Sequence, residues 1–251
     1  MIYAISDIHG NKEAWESIKE LIHFSEEDEM YILGDVIDRG IHGIEILIEI
    51  MNTPNMHMIL GNHEYMMINA LRYGEYDVWF RNGGFPTYQS YNQFSSNTQK
   101  KIIDFIESLD LQETINIGNN EIILCHANSI NAYHNIMQMY NDRFSNNIFN
   151  QDELIDFCVW DREYMRNISL FIDLQINQWI IHGHTPTIHD SKNGVYEMGY
   201  VEMHSYHVLN IDCGSGYPEF NGRLACVDLE SLVNIDIDTQ VFYSNDKVKG
   251  V

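Results

Sequence analysis

Three polar blocks in the first quarter of the chain constrain the fold most: Asp7-Ile8-His9-Gly10, Gly34-Asp35-Val36-Ile37-Asp38-Arg39-Gly40 and Gly61-Asn62-His63-Glu64. Each follows a short apolar run (Ile2 to Ile5, Met30 to Leu33, Met56 to Leu60) and precedes a helical pattern. Strand, loop and helix repeated three times is the pattern of a parallel sheet, and the polar residues then fall where strands turn into helices, the edge at which open α/β sheets bind ligands. The helical pattern of Asn11 to Ile22 carries Ala14, Ile18, Leu21 and Ile22 at helical spacing, with Trp15 widening the face and Asn11 as cap. Ile44 to Met51 and Tyr65 to Leu71 supply the next two helices.

The block chemistry can be read from charge alone. Asp-x-His sets a carboxylate and an imidazole two residues apart, Asp35 follows a glycine that permits a tight turn, and Asn62 adds a neutral oxygen. A mixed oxygen and nitrogen donor set suits Mn, Fe or Zn better than Ca or Mg. The competing reading makes Asp7 and Asp35 helix N-caps and His9 and His63 ordinary loop histidines. One block alone would favour it, whereas three, each at a strand end and less than about thirty residues apart, favour a two-metal phosphoesterase site.

In the order and spacing of these blocks the chain resembles the PPP-type serine/threonine phosphatases of the calcineurin-like metallophosphoesterase superfamily, particularly their bacterial and phage branch. Further matches are His126 after an apolar run, Trp160-Asp161-Arg162, His182-Gly183-His184-Thr185-Pro186 and Asn210-Ile211-Asp212. A softer one is Trp79-Phe80-Arg81-Asn82-Gly83-Gly84 with Thr87 and Ser90-Tyr91, similar to a stretch in bacterial members. The resemblance implies a four-layer α/β/β/α sandwich with mixed sheets. It assigns Asp7, His9 and Asp35 to a first metal, and Asp35, Asn62, His126 and His184 to a second, with Asp35 as the bridge. It further implies a metal-bridging hydroxide attacking phosphorus in line, His63 as general acid oriented by Asp38, and Arg39 and Arg162 clamping phosphate oxygens. Pro186 stands where many calcineurin-like enzymes place another histidine, an absence shared with PPP-type phosphatases. Ala127-Asn128 departs from the glycines usual there; Asn can adopt a left-handed backbone at some cost, so the His126 loop is expected to be slightly remodelled. Of the remaining histidines only His182 invites attention, since two residues before His184 it would share a sheet face if the strand continued.

A formal charge of −23, from 37 acidic and 14 basic residues, excludes nucleic acid and anionic membrane surfaces as partners. It also repels phosphate, so the site must supply its own positive field. Two divalent ions against Asp7 and Asp35 leave an excess of about two charges, or about one with a bridging hydroxide. No stretch approaches the roughly 20 apolar residues of a membrane span. A cytoplasmic enzyme without a cleaved leader is expected, because cleavage would remove Asp7 and His9. The four cysteines form no C-x-x-C pair, and Cys125 beside His126 reads as a packed thiol rather than a nucleophile.

The organisation expected is one domain over residues 1–251. A helix capped by Asn97 carries Ile102, Ile103, Phe105, Ile106 and Leu109, a strand covers 121–126, and a helical, substrate-facing cap occupies 130–178. Antiparallel hairpins of a second sheet are expected between Val195 and Asp228. Three functions stay open. The first is a metal-dependent protein phosphatase acting on phosphoserine or phosphothreonine; the second is a symmetrical dinucleoside tetraphosphatase or other small-molecule phosphoesterase; the third is a catalytically dead binding module. The partner is a phosphoprotein or a small phosphorylated substrate in the first two.

Overall fold

The computed structural model describes residues 1–144, 150–162, 177–188, 198–205, 207–234 and 236–246. The three apolar runs form parallel strands β1 (Ile2–Ile5), β2 (Glu29–Ile32) and β3 (Met56–Met58), paired in the order of the sequence with Ile5 beside Ile32 and Ile32 beside Met58. Two later strands, β9 (Ala225–Asp228) and β10 (Val241–Tyr243), extend this sheet antiparallel on the far side of β1. The second sheet runs β4-β5-β6-β8-β7, from β4 (Gln112–Ile117), β5 (Asn120–Cys125), β6 (Gln178–His182), β7 (Glu202–Ser205) and β8 (Val208–Asn210). It is mixed: β5, β6 and β8 are parallel, and β4 and β7 are antiparallel edges.

Strand alternation sets the layers. Ala4, Ile122, Leu124, Ile181, Leu209 and Val227 share one apolar cluster between the two sheets. Their neighbours Tyr3, Ile5, Met30 and Ile32 face outward onto α1 (Lys12–Leu21) and α2 (Gly43–Asn52), meeting Trp15, Ile18, Ile44 and Leu47. On the other side Ile123, Cys125, Ile180 and Val208 pack on Ala132 of α7 (Ile130–Phe144) and Phe157 of α8 (Gln151–Trp160). The result is the expected four-layer sandwich. Each fully buried Trp15, Ile18 or Leu47 contributes about 1.5–3 kcal/mol.

Between the sheets in sequence lie α3 (Asn62–Tyr73), α4 (Tyr76–Arg81), α5 (Phe85–Tyr91) and α6 (Ser96–Glu107), and α9 (Leu229–Leu232) follows β9. Asn11 caps α1 as expected, its side chain accepting from the Ala14 N–H at 3.1 Å. The cap of α6 is Ser95 instead of Asn97, because the helix begins two residues earlier than that cap implies and the Ser95 hydroxyl reaches the Thr98 N–H at 3.3 Å. The second sheet starts at β4, well before Val195, and β9 at the end of the expected hairpin region pairs with β1 of the first sheet. Short strand signals carry no information about which sheet receives them. Of the expected cap over 130–178, α7 and α8 cover the second sheet and the end of α8 reaches the strand-end site; residues 145–149 and 163–176 lie outside the described residues. No helix among the described residues is long and apolar enough to cross a membrane.

Candidate dinuclear metal centre

All six positions matched to metal ligands converge at the carboxyl ends of the strands, and every one is buried. Asp7 and His9 follow β1, Asp35 follows β2, Asn62 opens α3 after β3, and His126 and His184 follow β5 and β6 of the other sheet. Ligand atoms of His9, Asp35 and His63 lie within 4.8 Å of one another, and so do those of Asp35, His126 and His184. Asp35 belongs to both groups. Asp7 joins the first, its Oδ1 lying 3.8 Å from His9 Nε2, while its Oδ2 accepts from the Ser6 hydroxyl and from the His184 N–H at 3.0 Å.

These loops are held in an unusual backbone. Asp7, His9, Asp35, Asp38, Arg39 and His184, with φ between 51° and 72°, are six of the nine non-glycine residues with positive φ among the described residues. Each such conformation costs about 1–3 kcal/mol and persists only where surroundings enforce it. Glu64 is one enforcer: its buried carboxylate accepts from the N–H groups of Asp35 and Val36 at 2.9 Å and of Ile37 at 3.2 Å. Asn210 is another, its amide donating to the Thr185 carbonyl at 2.8 Å and so fixing the loop that carries His184. Gly183 must be glycine, because a Cβ there would fall 2.3 Å from Asp7 Oδ2.

Electrostatics and tautomers then define what the pocket can hold. Burial pushes the Asp35 carboxyl well above the usual carboxylate range, with His63 opposing the rise and Asp7 and Glu64 adding to it. Asp212, buried beside Asp7, is pushed up in the same way. Burial, reinforced by neighbouring positive groups, holds His9 and His184 well below the ordinary imidazole range, so both imidazoles are neutral at pH 7. His9 Nδ1 donates to the Ile37 carbonyl at 3.1 Å, leaving Nε2 with a lone pair, and His126 Nδ1 lies 2.6 Å from the Leu33 carbonyl. His184 Nε2 accepts from the Arg162 Nε–H at 3.1 Å, with the Trp160 carbonyl also 3.1 Å away.

Asn62 Oδ1 lies 3.0 Å from His126 Nε2 and 2.9 Å from His184 Nδ1, and Asp35 Oδ1 lies 3.4 Å from His126 Nε2. A buried set of imidazole nitrogens, an amide oxygen and a carboxylate drawn this close together has the donor chemistry of a divalent-cation site. The residues present therefore fit divalent ions.

Beside this cluster, His63 Nδ1 pairs with Asp38 Oδ2 at 2.6 Å, and the Trp79 indole N–H donates to both Asp38 oxygens at 2.9 and 3.0 Å. The Asp38 N–H donates to the Thr87 hydroxyl at 2.8 Å and the Arg39 N–H to the Gly83 carbonyl at 2.9 Å. The soft match over residues 79–91 thus wraps the His63–Asp38 pair. Arg39 Nη2 stands 3.4 Å from His63 Nε2, and its guanidinium lies 4.3 Å from the Tyr217 ring centroid. Arg39 and Arg162 flank the cluster from opposite ends.

The family model for calcineurin-like phosphoesterases matches residues 1–203. The chain belongs to that family. It is 29% identical over 130 residues to serine/threonine-protein phosphatase 2 of Escherichia coli K12, a match covering 50% of this chain and 57% of that protein. It is 35% identical over 71 residues to the symmetrical bis(5'-nucleosyl)-tetraphosphatase of Delftia acidovorans, covering 28% of this chain and 25% of that one. The chain thus spans little more than half the length of the first relative and a quarter of the second. Among solved structures, a protein serine/threonine phosphatase from Saccharomyces cerevisiae superposes with a TM-score of 0.58 at 15% identity over 96% of this chain and 78% of its own, which supports the fold.

The geometry bears on three further expectations. Asn128 does not take positive φ; it is buried and brackets the end of α8, donating to the carbonyls of Phe157 and Asp161 at 3.2 and 3.1 Å. His182 ends β6, and the turn at Gly183–His184 breaks the alternation that would have put both histidines on one face. Cys125 is a packed thiol, pushed well above the usual thiol range by burial. Glu64, Asp212, Ser6 and Trp79 were given no role by sequence. Glu64 and Asp212 sit inside matched motifs, but their function depends on contacts with distant loops.

Proposed function

We propose that the chain is a metal-dependent phosphomonoesterase acting on phosphoserine and phosphothreonine in proteins. The observation that carries this reading is the placement of His63 Nε2 between Asp35 Oδ2, at 3.8 Å, and Arg39 Nη2, at 3.4 Å, with Nδ1 locked on Asp38. A guanidinium that close is a poor neighbour for a metal-ligating nitrogen and a good one for a phosphate oxygen, so His63 is assigned as the proton donor and Asp7 as the ligand.

Asp7, His9 and Asp35 would hold one divalent ion, and Asp35, Asn62, His126 and His184 the second; Mn suits this mixed donor set, and Fe or Zn would fit it. When bound, such ions supply Lewis-acid polarisation of the phosphoryl group and lower the pKa of a water. The chain's own residues do the rest. Arg39 and Arg162 hold the phosphate oxygens from opposite ends with planar forks. Asp38 stabilises the imidazolium of His63 and fixes its ring, so that the proton on Nε2 points at the departing ester oxygen. Trp79 keeps Asp38 in place by occupying both of its oxygens.

A symmetrical dinucleoside tetraphosphatase is the second reading, supported by relatives such as the Delftia acidovorans protein. Rates measured side by side, with Mn present, on phosphoserine and phosphothreonine peptides and on diadenosine tetraphosphate decide between them. A preference for the dinucleotide of about a hundredfold or more in kcat/KM overturns the first reading.

A further inference from the structure

A groove of about 850 Å³ opens beside His9 and Arg39. It is large enough for a group well beyond the phosphate itself. One wall is the Ser215-Gly216-Tyr217 loop, whose aromatic ring lies against Arg39. The opposite wall is the end of α4, where Arg81 is exposed, two residues from the Gly83 carbonyl that accepts the Arg39 N–H. Lys12 and His42 also line the groove, but both are engaged by Glu45, at 2.5 and 2.9 Å. Glu13 and Glu219 complete the charged lining.

Lys12, Lys19, Arg72 and Lys100 form carboxylate pairs, whereas Arg81, like Lys101, Arg39, Arg162 and Arg223, makes none among the described residues. Arg81 is exposed in a groove that shares His9 and Arg39 with the candidate centre. Its planar fork matches a carboxylate or phosphate.

We propose that this groove is a second anion subsite, in which Arg81 pairs with a further negative group that the substrate carries near its scissile phosphate. The substrate class is therefore phosphoesters with an adjacent anion. That anion can be an acidic side chain next to a phosphorylated residue or a further phosphate in a chain. The inference rests on the proposed seat of the scissile phosphate between Arg39 and Arg162.

The test uses the full chain loaded with Mn, with hydrolysis of p-nitrophenyl phosphate as reporter and competing ligands as probes. One pair of probes is phosphoserine peptides with Asp or Ala flanking the phosphoserine; the other is ADP and AMP. Inhibition constants are compared within each variant, so that changes in turnover cancel. The wild-type protein is expected to bind the member of one pair that carries the additional anionic group about 5- to 10-fold more tightly at low ionic strength, a preference that shrinks with salt. Arg81→Glu should abolish or invert it, and Arg81→Lys should retain part of it. An Arg81-dependent preference in the peptide pair identifies an acidic side chain as the anion, and one confined to the nucleotide pair identifies a phosphate chain. Equal binding within both pairs, or a preference that survives Arg81→Glu, overturns the proposal. The seat of the scissile phosphate is checked separately: Arg162→Ala should weaken inhibition by orthophosphate, and no change there would displace that seat and not the groove.

Discussion

At the residue scale the proposed function divides two jobs between adjacent residues, Asn62 beside His126 and His184 for the metal and His63, held by Asp38, for the departing oxygen. His63→Asn should lower turnover of a phosphoserine peptide by roughly 10² to 10⁴, because a serine alkoxide leaves poorly without a proton. On p-nitrophenyl phosphate, whose leaving group needs none, the loss should be far smaller. Equal losses on both substrates, in protein shown to retain its metal, would move the proton donor elsewhere. Asp35→Asn should instead remove activity on both substrates and sharply reduce metal content measured by atomic absorption, while circular dichroism stays native. Two bound metals with near-normal rates in that variant would refute the bridge. That the six proposed ligand positions and His63 converge was legible in the sequence because each sits in a short block at a strand end. Glu64 was not: its three amide partners lie 27 to 29 residues away, and only the folded chain brings them to one carboxylate.

At the element scale, α4 and α5 turn out to serve the centre more than the core. Trp79 of α4 is fully buried yet spends its N–H on Asp38, and Thr87 of α5 receives the Asp38 N–H. Trp79→Phe keeps most of the ring and deletes that donor, so peptide turnover should fall roughly tenfold with the same substrate signature as His63→Asn, only weaker. A loss that is uniform across substrates would mean that Trp79 acts through packing alone. The strand–loop–helix repeats were readable from apolar runs and caps, and α1 to α3 lie where the pattern puts them. Sheet membership was not readable for β9, since four apolar residues between turn signals suit either sheet and long-range pairing with β1 decides. The cap of α6 was misplaced by two residues, because Ser95 and Asn97 are both good capping types and the hydrophobic pattern does not distinguish them.

At the scale of the whole molecule, burial of Asp35 and Asp212 links metal, proton and stability. Both carboxyls are raised above the unfolded value, so without cations their ionisation opposes folding progressively as pH climbs from the carboxylate range toward their raised values. His9 and His184 are lowered, so the unfolded state binds more protons than the folded one near and below the ordinary imidazole range, and stability falls on acidification there. Cations must displace the carboxyl protons to bind, which costs less as pH rises. The increase in Tm on adding excess Mn to chelator-treated protein should therefore grow from about pH 5.5 to about pH 8. An increase that is flat or shrinks over that range would contradict the sign of these shifts. Finally, the centre is assembled from both sheets: the His184 N–H reaches Asp7 Oδ2 across 177 residues of chain, and His126 Nε2 meets Asn62 across 64. A nascent fragment ending before the second sheet would carry Asp7, His9 and Asp35 but lack His126 and His184, so the second proposed ion could be held only once both sheets have formed. That ion would then act as a latch on a chain whose long-range pairing has already been accomplished.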